Sequence, residues 1–145
     1  MHPTLGEKSK KGGSPNQLLA PTLSDYLYAA SGRDTKTLAL SIKDRAAILT
    51  GGIEGIAYFY SKRTGRFIST EYYMEKYPGW WQSYFETEPQ KKLGEPYKRL
   101  GKTSVGTEYL VDFAREAIQG HELGKNENAE FPDTLILSIS SHCLL

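Results

Sequence analysis

Two cations placed two positions apart are the residues best suited to chemistry in this chain. Lys43 and Arg45 follow a short apolar run, residues 38–42, whose composition predicts a buried strand. Ligands bind at the carboxyl ends of strands in open α/β sheets, so the pair could hold one phosphate or carboxylate group. Arginine grips two oxygens with a planar fork and lysine adds a compact charge, a combination that stabilises an oxyanion. The alternative, favoured from these residues alone, is that both are solvated charges paired with Asp44 or Asp25.

The chain ahead of this pair predicts a helix followed by the strand. Within residues 21–32, Thr22 can cap the helix, Asp25 completes a capping box and Gly32 ends the helix. Four apolar residues share one helical face, which we expect to be buried: Leu23, Tyr26, Leu27 and Ala30. A helix that leads into a buried strand is typical of an α/β sheet.

A hairpin, two helices and a second apolar strand are predicted behind the pair. Residues 56–73 have the composition of a β-hairpin, with Gly65 in the turn. A short aromatic helix starts near Pro78, residues 107–120 form an amphipathic helix, and residues 134–140 read as another buried parallel strand. We expect the hairpin's aromatic residues to pack rather than to bind a ligand: Tyr58, Tyr60, Phe67, Tyr72 and Tyr73.

The 145-residue chain has the composition of one ordinary globular domain, 39% hydrophobic and 24% charged. A net charge of +1 without a basic stripe argues against nucleic acid or an acidic membrane surface as a partner. No apolar run reaches the roughly 18 residues of a membrane helix and no signal peptide follows Met1, so the chain as given is expected to be cytoplasmic. Cys143 is the only cysteine, which excludes an internal disulfide and a zinc ribbon. Residues 1–16 are polar and aperiodic, and we expect a flexible lead-in ahead of the ordered residues 17–145.

Five blocks of residues occur in the order and with the approximate spacing of a known family. They are Ser14 and Pro15 with residues 18–22, residues 41–49, residues 69–70 with 72–74, residues 112–118, and residues 137–142. Together they resemble the alkaline phosphatase superfamily, in particular bacterial metal-dependent phosphomonoesterases related to the nucleotide pyrophosphatase/phosphodiesterase branch. The Lys-Asp-Arg and Tyr-Tyr-Met sequences in these blocks are not generic features of α/β proteins.

The resemblance implies an incomplete alkaline-phosphatase-like α/β domain, with residues 17–145 as an internal fragment. Its sheet should be mostly parallel, with flanking helices and the hairpin as an excursion, and strands 38–42 and 135–139 should have unpaired edges. Lys43 and Arg45 match the family's phosphate-contacting lysine and arginine, which favours anion binding over the solvated alternative. The implied substrates of the parent enzyme are phosphate monoesters, with diesters as a second class, and its implied location is the periplasm or outside the cell.

The resemblance also implies two zinc ions in the parent enzyme and a Thr or Ser nucleophile that would precede Met1. Cys143 stands where the family has a metal-binding Asp, and His142 and Cys143 point to opposite sides of a strand, so we expect no zinc on this chain alone. His2 and His121 are isolated and expected to be solvated. The fragment alone should be inactive. Two alternatives stay open: a non-catalytic anion-binding or interaction module, and a truncated product without activity of its own.

Overall fold

A four-stranded sheet forms the centre of the structure, a computed structural model that describes residues 2–6, 12–94, 97, 100, 103–126 and 133–138. The strands are β1 (Thr37–Ser41), β2 (Ile56–Tyr60), β3 (Phe67–Ile68) and β4 (Thr134–Ser138). Their order across the sheet is β3-β2-β1-β4. β1 is parallel to both β2 and β4, and β3 is antiparallel to β2. The predicted α/β fold, with a mostly parallel sheet and a hairpin, is confirmed.

Helices connect and cover these strands. The α-helices of the described residues are α1 (Leu23–Ala30), α2 (Asp44–Gly51), α3 (Gly79–Glu86) and α4 (Ser104–Gly120), and two short 3₁₀ helices span Pro15–Gln17 and Pro89–Leu93. Thr22 forms the predicted capping box with Asp25. Thr103 caps α4, and the helix begins at Ser104, three residues before the predicted start at residue 107. No helix among the described residues is both long and apolar enough to cross a membrane.

The strand β1 lies at the middle of the sheet and is buried along its whole length. The expectation that residues 38–42 form an unpaired edge is therefore wrong, because β2 and β4 pair with the two sides of this strand. In the described part of the sheet, β4 is the edge strand on that side. The small residues Ala39 and Ala57 are register partners, and a Cβ on Gly51 would lie 3.4 Å and 3.2 Å from their Cβ atoms. Gly51 therefore lets the end of α2 lie directly on the sheet.

The opposite face of the sheet is covered by α3 and α4 through aromatic side chains. Neighbouring residues of a strand face opposite ways, so Tyr58 projects away from the side on which Ala57 meets α2. Its ring lies 5.5 Å from that of Phe113 in α4, and Phe67 stacks on Phe113 at 4.7 Å. Tyr58, Tyr60 and Phe67 are buried in this layer, as predicted for the hairpin aromatics.

The apolar side of α1 is exposed, contrary to the sequence prediction. Leu23 and Tyr26 are both 63% exposed, whereas the buried residues of this helix are Ser24 and Asp25. Ser24 Oγ donates a hydrogen bond to the carbonyl oxygen of Thr50 at the end of α2. Polar contacts with α2 and the loop that follows it, rather than apolar contacts, therefore decide which side of α1 faces inward.

Part of the expected lead-in lies against the sheet. Thr4 forms an isolated antiparallel bridge with Thr70 and is 5% exposed. The Leu5 N–H donates to the carbonyl oxygen of Ser69 at 3.0 Å, and the Tyr77 hydroxyl donates to the carbonyl oxygen of Leu5 at 2.9 Å. These residues extend the layer beside β3, which differs from the flexible lead-in that their polar composition indicated.

Candidate anion-binding site

The structure places Lys43 and Arg45 at the carboxyl end of β1 and the beginning of α2. β1 ends at Ser41 and α2 begins at Asp44, so Lys43 is the N-cap residue and Arg45 the second residue of the helix. The Lys43 N–H donates to Ser41 Oγ at 3.2 Å, which links the turn to the strand. Lys43 is partly exposed and Arg45 is exposed, so a ligand in solvent can reach both cations.

These cations lie at a helix end that itself favours an anion. The N–H groups of the first turn have no partner within the helix and the dipole is positive there, so a cation at this end is unfavourable by about 0.3–1 kcal/mol. Asp44 is the acidic residue of this turn, and its Oδ1 accepts the N–H of Arg45 at 2.7 Å. Among the described residues, neither Lys43 nor Arg45 forms an ion pair with Asp44. An anion bound here would be stabilised by both cations and by the helix end.

The carboxylate of Asp25, the other acid considered as a partner for these cations, is engaged elsewhere. Its Oδ2 accepts hydrogen bonds from the backbone N–H and the hydroxyl of Thr22, at 2.7 and 2.9 Å. Its Oδ1 accepts the N–H groups of Ile53 and Glu54, at 2.8 and 3.0 Å. Both of these N–H groups follow the C-terminal end of α2, a helix about 12 Å long. Asp25 therefore lies at the end of α2 away from Lys43.

These hydrogen bonds determine the charge state of Asp25. Burial raises the pKa of the carboxyl, but hydrogen bonds from Thr22, Glu54 and Ile53 outweigh this effect and hold the pKa below its usual value of 3.8. Asp25 is therefore ionised over the physiological range. Its charge is stabilised by local hydrogen bonds rather than by Lys43 or Arg45.

Two further cations lie on the hairpin turn beside the pair. Ser41 is the register partner of Phe59, so β1 and β2 leave the sheet at the same edge. Lys62 and Arg63 follow β2 there, and both are exposed. The carboxyl edge of the sheet thus carries positive charge on two adjacent connections.

His121 is not solvated as expected, but lies in an aromatic cluster. Its Nε2 is 3.1 Å from the hydroxyl oxygen of Tyr58, and its ring is 5.3 Å from that of Trp80. Burial, with a smaller effect from Lys36, lowers the pKa of His121 from 6.5 to about 4. The carbonyl oxygen of His121 accepts a hydrogen bond from Lys36 Nζ, and Lys36 directly precedes β1. This neutral histidine therefore belongs to the amino end of the sheet, away from Lys43.

The part of the chain that the structure describes contains no group of three or more His, Cys, Asp and Glu residues that could hold a metal ion. These residues do not fit the zinc pair that the resemblance implies. His142 and Cys143 lie outside the described residues, so the expectation that they bind no zinc stays a prediction.

No protein-family model matches the chain. It is 30% identical to alkaline phosphatase PhoV of Synechococcus elongatus over 184 residues, which cover 95% of this chain and 33% of PhoV. It is 27% identical to a calcium-transporting ATPase of Myroides odoratus, over 94% of this chain and 33% of that protein. Because the alignment with PhoV is longer than the 145 residues of this chain, PhoV carries additional residues within the matched region.

The fold is similar to that of a solved structure, wild-type alkaline phosphatase PafA. The TM-score is 0.81 at 22% sequence identity, over 95% of this chain and 35% of the PafA chain. The chain thus spans about a third of the length of the proteins it matches. On both sequence and fold, it is a partial homologue of the alkaline phosphatases PhoV and PafA.

Proposed function

We propose that Lys43 and Arg45 bind the phosphoryl group of a phosphate ester in an alkaline-phosphatase-like enzyme of which this chain forms about a third. The observation that carries this proposal is that both cations lie at the start of α2 without an ion pair to Asp44 or Asp25 among the described residues. Cations are disfavoured at this end of a helix, so their presence there has a ready explanation if an anion binds.

The chemistry of the pair suits a transferring phosphoryl group. Negative charge on its nonbridging oxygens must be stabilised throughout the reaction, and fixed cations provide that stabilisation without reorganisation. Arg45 can hold two of these oxygens, while Lys43 can contact a third as a point charge. A monoester dianion carries more charge on these oxygens than a diester monoanion and should depend more strongly on the pair.

A second solved structure of PafA supports the assignment. It is of a variant in which a threonine is replaced by serine, and an asparagine, a lysine and an arginine by alanine. That lysine and arginine are two positions apart, as Lys43 and Arg45 are. The threonine and asparagine precede the lysine by more residues than precede Lys43 in this sequence. The proposal uses the lysine and the arginine alone and assigns no counterpart to the threonine or the asparagine.

The remaining parts of the proposed enzyme are not supplied by the described residues. The other two thirds of the domain would supply the nucleophile and bind the two zinc ions. The phosphate contacts proposed for Lys43 and Arg45 do not depend on these groups. Membership of the nucleotide pyrophosphatase/phosphodiesterase branch and export from the cytoplasm are part of the same proposal. A non-catalytic anion-binding module is the second candidate, because it needs only the pair and the start of α2.

Titration with inorganic phosphate tests the pair directly on this chain. At low ionic strength, phosphate should shift the amide resonances of residues 43–47 in a ¹⁵N-labelled sample. Lys43→Ala or Arg45→Ala should weaken the apparent affinity by about tenfold or more, since each charge-assisted contact contributes about 1.5–3 kcal/mol. Lys62→Ala is the matched control, an exposed cation on the neighbouring turn. Shifts that persist in both pair variants, or that Lys62→Ala removes equally, would contradict the proposal.

A further inference from the structure

Large apolar side chains are exposed mainly on one side of the molecule. Of the six strongly exposed ones among the described residues, five lie on α1, α2 or the segments next to them. We call these five the α1 surface: Leu19, Leu23, Tyr26, Leu49 and Ile53. Their exposure ranges from 47% for Ile53 to 63% for Leu23 and Tyr26, and Leu19 is fully exposed. Exposed apolar residues grouped in this way indicate an interaction site.

Polar contacts hold the α1 surface in its outward orientation. Asp25 is anchored to the N–H groups of Ile53 and Glu54, and Ser24 is anchored to the carbonyl oxygen of Thr50. Rolling α1 to bury Leu23 would move Ser24 and Asp25 away from these partners and break all three part-buried hydrogen bonds, which is costly. The exposure is therefore a fixed property of this fold.

The segment after α2 is held equally firmly. The Tyr72 hydroxyl donates to the carbonyl oxygen of Ile53 at 3.3 Å, and the Tyr73 hydroxyl donates to that of Gly52 at 3.1 Å. A Cβ on Gly52 would lie 2.1 Å from Thr22 Oγ1, which shows how closely this segment approaches α1. The α1 surface is thus rigid before anything binds to it, which lowers the entropic cost of binding.

We infer that the α1 surface docks against the polypeptide that corresponds to the other two thirds of the PhoV and PafA domain. This chain matches 95% of its own length but only 33% of PhoV and 35% of PafA. The same fold thus exists in PafA as part of a chain about three times as long. Apolar side chains held outward on a fragment of that size fit a contact with the remainder of the domain.

The layering of the sheet agrees with this occupant. One face is covered by α3 and α4, whose aromatic residues reach the strands. On the other face, α2 lies on the sheet and α1 contacts α2 through polar residues, which leaves the apolar side of α1 as the outermost layer. If the remainder of the domain packs on that side, the apolar residues of α1 gain the buried contact that their helical spacing predicts.

The test pairs this chain with PhoV lacking its matched third, co-expressed as separate polypeptides. We expect a one-to-one complex in sedimentation. Leu23→Asp or Tyr26→Asp should weaken it by about tenfold or more, the effect of losing an apolar anchor. Val105→Asp is the matched control, because Val105 is exposed and apolar but lies on α4, outside the α1 surface. Unchanged thermal melting of the variant chains alone would verify that they still fold.

A polypeptide that joins the two parts provides a second measurement. In it, Leu23→Asp should lower the melting temperature by several degrees more than Val105→Asp. Equal shifts in melting temperature for Leu23→Asp and Val105→Asp would overturn the inference. Self-association of this chain alone that Leu23→Asp abolishes would also overturn it, because a second copy of the chain would then occupy the α1 surface. The inference rests on the proposed relationship to alkaline phosphatases. Lys43→Ala should weaken phosphate binding but leave the association of the two polypeptides unchanged. A failure of the docking inference can therefore be distinguished from a failure of the proposed phosphate binding.

Discussion

Replacing Asp25 should destabilise the fold more than its position near the surface suggests. The carboxylate accepts four hydrogen bonds, two from Thr22 in the capping box and two from the N–H groups of Ile53 and Glu54. Loss of the Asp25 side of the capping box costs about 1 kcal/mol, and each of the two part-buried N–H groups left without a partner costs about 1 kcal/mol, the low end of the range for such groups. Because solvent can reach part of this region, we expect Asp25→Ala to lower the free energy of unfolding by about 3 kcal/mol.

The protonation of Asp25 gives this prediction a pH signature. The pKa of Asp25 in the folded chain lies below its usual value of 3.8, so the folded state favours the ionised form. The stability that this carboxylate contributes is therefore fully present well above pH 3.8 and is lost as the pH falls through the lowered pKa. Asp25→Asn removes the titration, so this part of the acid dependence should be absent from the variant.

Urea unfolding followed by tryptophan fluorescence measures both effects. Asp112→Ala is a matched control, since Asp112 is an exposed helical aspartate and should change stability by no more than about 0.5 kcal/mol. If Asp25→Ala costs less than about 1 kcal/mol, or no more than the control, the hydrogen bonds to Ile53 and Glu54 do not stabilise the loop as we have argued. If the loss of stability at low pH is the same in Asp25→Asn as in the unaltered chain, the assigned charge state of Asp25 is refuted.

Four further predictions follow from the site and the packing. The first uses a hybrid enzyme, PhoV with its matched third replaced by this chain. In the hybrid, Lys43→Ala or Arg45→Ala should lower kcat/KM by roughly 10–1000-fold for monoesters and by less for diesters. Equal losses for both substrate classes, together with a lower melting temperature, would indicate a structural role. This chain alone, given zinc and a chromogenic phosphate ester, should show no turnover, and chelator-sensitive hydrolysis would count against the fragment interpretation. As the pH is lowered from about 6.5 to about 4, His121 should make the free energy of unfolding fall, because the histidine of the unfolded chain binds a proton before that of the folded chain. In urea unfolding, His121→Phe should reduce this dependence of stability on pH. Gly51→Val should cost about 1–3 kcal/mol in the same assay, because its Cβ would crowd the sheet; an unchanged midpoint would show that α2 can move away.

Features set by neighbouring residues were predicted well from the sequence. The capping box at Thr22, the turn at Gly65 and the helix leading to Gly120 depend on spacing within a few residues. The position of Lys43 and Arg45 followed in the same way, because an apolar run that ends in charges marks the end of a strand.

Features set by distant residues were not predictable in this way. Periodicity identified the apolar side of α1, but the partners of Ser24 and Asp25 lie 26 to 29 positions further along the chain. A pattern shows that a helix has an apolar side and does not show what covers it. His121 meets Tyr58 across 63 positions, and no local signal distinguishes it from a solvated histidine.

The order of the strands has a consequence for how the chain folds. Thr37 at the start of β1 pairs with Thr134 at the start of β4, so β1 completes its pairing only with a segment far along the chain from it. Such distant pairing is slow, because a long loop must close before the contact is gained. During synthesis β1 and β2 can pair early, yet one side of β1 stays open until β4 has left the ribosome. We therefore expect nascent chains that stop before residue 134 to aggregate more readily than the 145-residue chain.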